Sequence, residues 1–169
     1  MLRVGVVGAG GRMGREVCRA VEGDPQLELV AAVDPRTEGT SLGELLGGEG
    51  VTLVVSANLD ELERSAAEVA VDFTDAEAAV RTMRWCAKHH VHAVVGTSGV
   101  PQAELAEIGT LFAESRANCV VVSNFALGAV LMMRFAEMAA PYMQGAEIVE
   151  LHHDAKIDAP SGTAIASAD

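Results

Sequence analysis

The feature that most constrains this sequence is a repeated change of hydrophobic period along the chain. Short apolar runs rich in β-branched residues alternate with longer segments whose apolar residues are three and four positions apart. The runs read LRVGVV, LELVAAV, VTLVVS, VAVDF, HAVVG, NCVVVS and EIVELHH, and the segments predict helices over Arg12–Val21, Ala76–His89, Gln102–Glu114 and Leu127–Tyr142. This alternation is typical of a parallel sheet with crossover helices. It predicts an α/β fold with a doubly wound parallel sheet.

A change of pattern after Phe125 divides the chain into two predicted domains. The helix that follows is rich in methionine, and the run EIVELHH carries polar residues where the earlier runs are apolar. We expect one domain over residues 1–125 and the beginning of a second, α+β domain over residues 126–169. Residues 36–50 are rich in glycine and weakly periodic, which predicts a loop with one short helical turn. Pro101 is expected at the first position of its helix.

The composition limits the partners of the chain. The formal net charge of -12 repels nucleic acids and anionic membranes, and no apolar run reaches the roughly 18 residues that a membrane span requires. Cys18, Cys86 and Cys119 are widely spaced, with no C-x-x-C pair of the kind that binds zinc. We therefore expect a cytoplasmic protein that binds small metabolites and neither nucleic acid nor membrane.

A glycine-rich turn follows the first run, in the stretch VGVVGAGGRMGREV. Glycines let a backbone turn sharply and approach a pyrophosphate bound at a helix N-terminus. The relevant spacing is Gly8, Gly11 and Gly14, because Met13 stands where the usual G-x-G-x-x-G pattern has glycine. Asp34 closes the second run about 20 residues later, where an acid binds the ribose hydroxyls of an adenosine. Together these features predict a Rossmann-type dinucleotide-binding domain; the alternative is a turn that only packs a helix on a strand.

Two arginines bear on the choice of cofactor. Arg36 lies just beyond Asp34, and Arg12 lies within the glycine-rich stretch. A guanidinium group at either position is able to bind a 2′-phosphate. We therefore expect both NADH and NADPH to be accepted.

Small and hydroxyl residues follow three of the other runs, in VDFT, VVGTSG and SNF. Ligands of open α/β sheets bind beyond the carboxyl ends of the strands, so these segments are expected to line the cofactor crevice. Thr97 and Ser98 have an alternative interpretation as ordinary turn residues. Phe125 is interpreted either as a neighbour of the nicotinamide or as a core residue.

The stretch ELHHDAKIDAPSGTA, residues 150–164, concentrates residues that carry chemistry. Successive side chains of a strand face opposite sides, so we do not expect His152 and His153 to bind a metal ion together. Residues 160–163 resemble a helix start, where hydroxyl and free N–H groups bind a carboxylate. With an imidazole and the ammonium of Lys156, this suits a small carboxylate substrate that must receive a proton. For each residue alone, a solvated surface position is the alternative.

The motifs GAGGRMG, VDFT, GTSG, NFALG and above all ELHHDAKIDAPSGTA resemble those of the 4-hydroxy-tetrahydrodipicolinate reductases, also called dihydrodipicolinate reductases. The resemblance runs from Arg3 to Asp169. It implies reduction of a cyclic unsaturated dicarboxylate by NADH or NADPH, in lysine and diaminopimelate biosynthesis, by a two-domain subunit that assembles as a homotetramer. Members of the family continue further and complete the substrate domain, so we expect this sequence to be truncated at the C-terminus.

The resemblance also implies roles for individual residues. His152 is implied to donate or accept a proton, with Lys156 as the second acid. The implied substrate-binding residues are His153, Gly162 and Thr163. The implied cofactor contacts are Gly8, Ala9, Gly10, Gly11, Arg12, Met13, Asp34, Gly96, Thr97, Ser98, Val122, Ser123, Asn124 and Phe125. Ser98 stands where the family commonly has Thr. Ser123 stands where the family often has Pro or Ala.

Two other functions are compatible with the glycine-rich turn. A different nucleotide-dependent dehydrogenase, such as one acting on a semialdehyde, would carry a catalytic cysteine or another acid–base set in place of HHDAK. A dinucleotide-binding module without turnover would keep the same residues as vestiges.

Overall fold

The structure, a computed structural model, describes residues 1–48, 51–122, 124–152 and 160–168. The chain divides into two compact units, Met1–Val121 and Val122–Asp169. The first unit contains a sheet with flanking helices. The described part of the second unit contains helices joined by irregular segments.

The sheet of the first unit has five parallel strands in the order β2-β1-β3-β4-β5. The strands are β1 (Leu2–Val7), β2 (Leu27–Val33), β3 (Val69–Asp72), β4 (His92–Val95) and β5 (Cys119–Val121). The chain builds outward from β1 to β2 on one side and then from β3 to β5 on the other. The strand order therefore reverses between β1 and β3, and the predicted Rossmann-type doubly wound sheet is confirmed.

The helices of the first unit agree well with the periodicity. They are α1 (Arg12–Gly23), α2 (Leu42–Leu46), α3 (Asp60–Arg64), α4 (Ala76–His89) and α5 (Gln102–Glu114). Both α4 and α5 have the predicted bounds, α2 is the short turn expected in the loop, and α3 was not predicted. Pro101 is the N-cap of α5 and not its first residue, because its ψ of 141° is extended.

The second unit contains α6 (Leu127–Ala139) and α7 (Gly162–Ala168). The helix predicted to reach Tyr142 ends at Ala139 and continues as a 3-10 turn over Ala140–Tyr142, where Pro141 lacks the N–H that an α-helix needs. None of the helices in the described ranges has the length and apolar character needed to cross a membrane.

Two apolar runs that predict strands do not form them. VTLVVS makes two isolated bridges, Val33 with Ser56 and Ser41 with Val54. Its backbone groups are shared between the end of β2 and the loop at 39–42, so no continuous ladder forms. EIVELHH is irregular as far as His152. A strand needs a neighbour for its backbone groups, and the described part of the second unit contains none.

The core of the first unit lies on both faces of the sheet. On one face, Val95 packs in a cluster with Met83 of α4 and Phe112 of α5. On the other, Val6 packs in a cluster with Cys18 of α1 and several residues of the α2 region. Burial on both faces explains why the strands read as continuous apolar runs, and it fixes the carboxyl edge of the sheet on which the site is built.

Candidate functional site

The glycine-rich turn joins β1 to α1 at the carboxyl edge of the sheet. Gly8 has a φ of 81°, in the left-handed region that glycine adopts without strain. Gly11 is the N-cap of α1, and its N–H donates to the carbonyl of Gly8 at 3.0 Å. A Cβ at Gly14 would overlap that same carbonyl, so α1 packs directly on the turn. Gly8 and Gly14 therefore each have a structural reason to be glycine, whereas a Cβ at Gly11 would lie 3.2 Å from the carbonyl of Gly8, a close contact and not an overlap.

Asp34 follows β2 and binds the turn. Its Oδ2 accepts a hydrogen bond from the N–H of Gly10 at 3.0 Å, and its Oδ1 accepts one from the N–H of Arg36 at 2.9 Å. Although the residue is only 8% exposed, it lies in the wall of a cavity. A carboxylate oxygen accepts more than one hydrogen bond, so both oxygens retain capacity for ribose hydroxyls. The bond to Gly10 gives that glycine a role that the spacing argument missed.

A cavity of about 790 Å³ opens at the carboxyl ends of β1, β2 and β3. Gly8, Gly11 and Asp34 form one part of its wall, and residues 73–75 and one face of α4 form another. The cavity spans the point at which the strand order reverses, where ligands of doubly wound sheets bind. Its volume is in the usual range for small-molecule sites, roughly 300–1,000 Å³.

The face of α4 that lines this cavity was not predicted as part of the site. It presents Arg81 and Trp85, which are four residues apart and therefore share a helix face. Trp85 donates from Nε1 to Oδ1 of Asp60 at 3.2 Å and stacks on His89 with ring centroids 4.1 Å apart. The signal available in the sequence was this helical spacing, combined with the position of α4 directly after β3.

The loops after β3 and β4 are joined through Asp72. Its Oδ1 accepts hydrogen bonds from the hydroxyls of Thr74 and Thr97 at 2.7 and 3.1 Å. Thr74 lines the cavity as VDFT predicts, whereas residues 96–98 are not among its lining residues. Thr97 is buried, Ser98 is exposed, and Gly96 packs on the ring of Phe73.

The remaining predicted cofactor contacts of the first unit surround the turn. Ala9 is fully buried within it, and Arg12 and Met13 are exposed in the first turn of α1. Neither Arg12 nor Met13 is a lining residue of the cavity, but Arg36 is. Of the two arginines considered for a 2′-phosphate, only Arg36 lies in the cavity wall.

In the second unit, two predicted site residues are in contact. Asn124 donates from Nδ2 to the hydroxyl of Thr163 at 2.7 Å, and its Oδ1 accepts from the N–H of Ala126 just before α6. Val122 is half-buried and Phe125 is exposed. A residue predicted to contact the cofactor and one predicted to bind the substrate are thereby held together.

The helix start predicted at residues 160–163 is present, because α7 begins at Gly162. Ser161 caps it by accepting a hydrogen bond from the N–H of Ala164 at 3.1 Å. The N–H of Ser161 donates to the Glu150 carboxylate at 2.9 and 3.2 Å. Oε2 of Glu150 also lies 3.8 Å from Nδ1 of His152, so one carboxylate connects the predicted proton donor with the start of α7.

Three predicted site residues lie outside the described residues. They are Ser123, His153 and Lys156.

The cysteines do not supply a nucleophile. All three are free thiols. Burial raises the pKa of Cys18 and of Cys86 to about 12, and that of Cys119 to about 11. Thiols of this kind are protonated at neutral pH, whereas catalytic cysteines have lowered pKa values. The chain therefore lacks the reactive cysteine that a semialdehyde-type dehydrogenase would require.

Two family models together match nearly the whole chain. The model described as "Dihydrodipicolinate reductase, N-terminus" matches residues 2–125, and "Dihydrodipicolinate reductase, C-terminus" matches residues 128–169.

Individual relatives that are similar to the chain are reductases of the same family. Over 99% of its length the chain is 45% identical to the 4-hydroxy-tetrahydrodipicolinate reductase of Syntrophomonas wolfei, of which it covers 63%. It is 41% identical to that of Desulfitobacterium hafniense, over 97% of this chain and 62% of the relative. A solved structure of a dipicolinate-bound dihydrodipicolinate reductase from Paenisporosarcina sp. TG-14 superposes with a TM-score of 0.78 at 37% identity, over 99% of this chain and 64% of that one. The chain thus spans less than two thirds of the length of these relatives.

Proposed function

The chain belongs to the dihydrodipicolinate reductase family, and from that membership we propose that it reduces 4-hydroxy-tetrahydrodipicolinate to tetrahydrodipicolinate with NADH or NADPH. The observation that carries the proposal is the cavity whose wall joins the glycine-rich turn to Asp34. Residues 1–125 are proposed as the dinucleotide-binding domain, and residues 126–169 as the beginning of the substrate domain.

Two features of the carboxyl edge of the sheet are suited to binding a nicotinamide dinucleotide. Because Gly8 and Gly11 carry no side chains, a pyrophosphate is able to approach the N-terminus of α1, whose first residue is Arg12. Asp34 lies one strand away with spare acceptor capacity for the adenosine ribose. The proposed contacts are those given above, from Gly8 to Met13, at Asp34, at Gly96–Ser98 and at Val122–Phe125.

The wall of the cavity supports acceptance of both cofactors. Asp34 favours the free ribose hydroxyls of NADH. Arg36 lies in the same wall and is able to bind the 2′-phosphate of NADPH. The predicted result is binding of both, with removal of the Arg36 side chain weakening NADPH more than NADH.

The mechanism assigns binding and proton transfer to residues of the second unit. A bound nicotinamide would supply the hydride, and the 4-hydroxyl group of the substrate leaves as water. His152 is proposed to deliver the accompanying proton, with Glu150 beside its ring and Lys156 as the second acid. His153, Gly162 and Thr163 are proposed to hold the substrate carboxylates, and the hydrogen bond from Asn124 fixes the Thr163 hydroxyl. Dipicolinate in the Paenisporosarcina structure is a dicarboxylate of the same class.

Location and assembly belong to the same proposal. Three free thiols suit the reducing cytoplasm. The exposed apolar residues of α6, among them Leu131, Phe135 and Met138, support association through the second unit. A homotetramer is the proposed assembly.

The test follows the absorbance of NADH or NADPH after this chain is mixed with freshly generated 4-hydroxy-tetrahydrodipicolinate. Cofactor binding is measured by calorimetry on the same sample. Substrate-dependent loss of absorbance would support the reductase. Cofactor binding without oxidation would favour the module without turnover, and absence of binding would contradict both.

A further inference from the structure

Asp72 is a buried acid for which the mechanism above has no use. It ends β3, is 0% exposed, and lies at the carboxyl edge of the sheet. Its Oδ1 accepts three hydrogen bonds, from the N–H of Thr74 at 3.0 Å and from the hydroxyls of Thr74 and Thr97. Its Oδ2 has no hydrogen-bond partner among the described residues.

The needs of the fold alone do not explain this carboxyl group. Burying a carboxyl group is costly unless each oxygen is partnered. Among the described residues no cation forms an ion pair with Asp72. Residues that break such stability rules are found most often at functional sites.

The hydrogen bonds of Asp72 set the positions of two loops relative to the glycine-rich turn. Thr74 belongs to the loop after β3 and Thr97 to the loop after β4, and the N–H of Thr74 also donates to the Thr97 hydroxyl at 3.0 Å. Between them, the carbonyl of Phe73 lies against Gly8, where a Cβ would approach it to 2.7 Å. A shift of Asp72 would therefore move both loops against the turn.

The order of the strands places these loops beneath one half of the proposed cofactor. Asp34 ends β2 and the glycine-rich turn ends β1, so the adenosine and pyrophosphate occupy that side of the edge. A dinucleotide that continues across the reversal point meets the ends of β3 and β4 next. That is the side on which Asp72 holds Thr74 and Thr97.

We propose that Asp72 is a positioning residue for the nicotinamide half of the cofactor, acting through Thr74 and Thr97. This inference rests on the proposed dinucleotide binding and gives an individual role to Asp72, which belongs to the VDFT motif but is not among the residues that line the cavity. The carboxyl edge of the sheet then has two acids with different roles: Asp34 binds the adenosine half of the cofactor, and Asp72 positions the loops beside the nicotinamide half.

The test compares two ligands on the 169-residue chain and its Asp72→Asn variant. Calorimetry measures the Kd of NADH, which spans both halves, and of ADP, which spans only the adenosine side. An amide is a weaker acceptor than a carboxylate and places an N–H2 group where Oδ2 lacks a partner, so the loops should loosen. We expect NADH to bind about tenfold more weakly and ADP to change less than about twofold.

Further variants separate positioning from general destabilisation. Thr97→Val should weaken NADH selectively, Thr97→Ser should keep its affinity, and the double variant of Asp72→Asn with Thr97→Val should be no weaker than the poorer single variant. Glu68→Gln removes a carboxylate just before the same strand, at the opposite edge of the sheet, and should change neither ligand. If the Asp72→Asn variant does not fold, Asp72→Ser, which keeps one smaller oxygen acceptor, takes its place in the same comparison, because Thr97 is itself a proposed cofactor contact.

The outcomes distinguish this inference from the function on which it rests. Selective loss of NADH affinity supports the role of Asp72. Equal loss for both ligands, or no loss, overturns that role while leaving cofactor binding intact. Failure of the unaltered chain to bind either ligand overturns both proposals.

Discussion

The two units differ in how their apolar residues are covered. In the first unit, Leu42, Leu62 and Met83 are fully buried, and apolar clusters cover both faces of the sheet. In the second, α6 has no buried residue, and Phe135 and Met138 are 63% and 71% exposed. The first unit therefore closes its own core, whereas the described part of the second does not. Cofactor binding should depend chiefly on the first unit, which holds all the proposed contacts except Val122–Phe125, and turnover on residues of the second.

The largest expected effect tests this division of function. Replacement of His152 by Ala removes the proposed proton donor, which lies in the second unit. Turnover should fall by roughly two to four orders of magnitude, while the Kd of NADH measured by calorimetry stays within about threefold. The matched control is His90→Asn, at an exposed position whose φ of 59° asparagine tolerates. Unchanged turnover in the His152 variant would refute the assignment.

The second prediction compares glycines of three helices. Gly14→Ala should destabilise the first unit by about 3 kcal/mol and abolish cofactor binding, because the new Cβ overlaps the carbonyl of Gly8. Gly109 in α5 and Gly128 in α6 have no atom near the place of a Cβ, so alanine there should stabilise the helix by up to about 1 kcal/mol. Urea unfolding measures all three. A mild effect at Gly14 would show that α1 is free to move off the turn.

The two units also differ in how far their elements follow from the sequence. The five strands and the helices α1, α4 and α5 of the first unit were predictable because both faces of the sheet are covered, so burial and hydrophobic period agree along each of them; α3 was not predicted, and VTLVVS forms only bridges. The glycine spacing and Asp34 were predictable because backbone conformation and close approach restrict the residue type at those positions. EIVELHH has strand composition, but pairing depends on a neighbour that composition does not reveal.

Within the site, the features that could not be predicted are hydrogen bonds between residues that are far apart in the sequence. The bond from Gly10 to Asp34 joins residues 24 positions apart, and that from Thr97 to Asp72 joins residues 25 apart. Neither pair has a local signature. Trp85 and Arg81 were not predicted as site residues. The sequence shows the helical period of α4, but it does not show which cavity a face of that helix lines.

The third prediction concerns the exposed face of α6. Its apolar side chains should make the chain self-associate as its concentration rises, measured by light scattering. Replacing both Leu131 and Phe135 with Lys should reduce the weight-average mass while leaving the melting of the first unit unchanged. The control replaces Arg134, an exposed residue of the same helix that pairs with Glu137, by Ala. A strictly monomeric chain at all concentrations would contradict the prediction.

The last prediction concerns an effect that is absent at neutral pH and appears only at alkaline pH, and it should be confined to the first unit because all three cysteines lie there. Burial raises the pKa of Cys18 from 9.0 to about 12, so the unfolded chain releases this proton at lower pH than the folded chain. The stability contributed by the buried neutral thiol is complete below pH 9 and declines as pH rises toward 12, by roughly 1 kcal/mol per pH unit. Cys18→Ala should lower stability at pH 8 but make its decline above pH 9 shallower.

Trp85, the single tryptophan, lies in α4 and reports unfolding of this unit by fluorescence. Parallel declines in the two proteins would mean that the Cys18 thiol also titrates near pH 9 in the folded state, and that the first unit is less tightly closed around α1 than its buried core indicates.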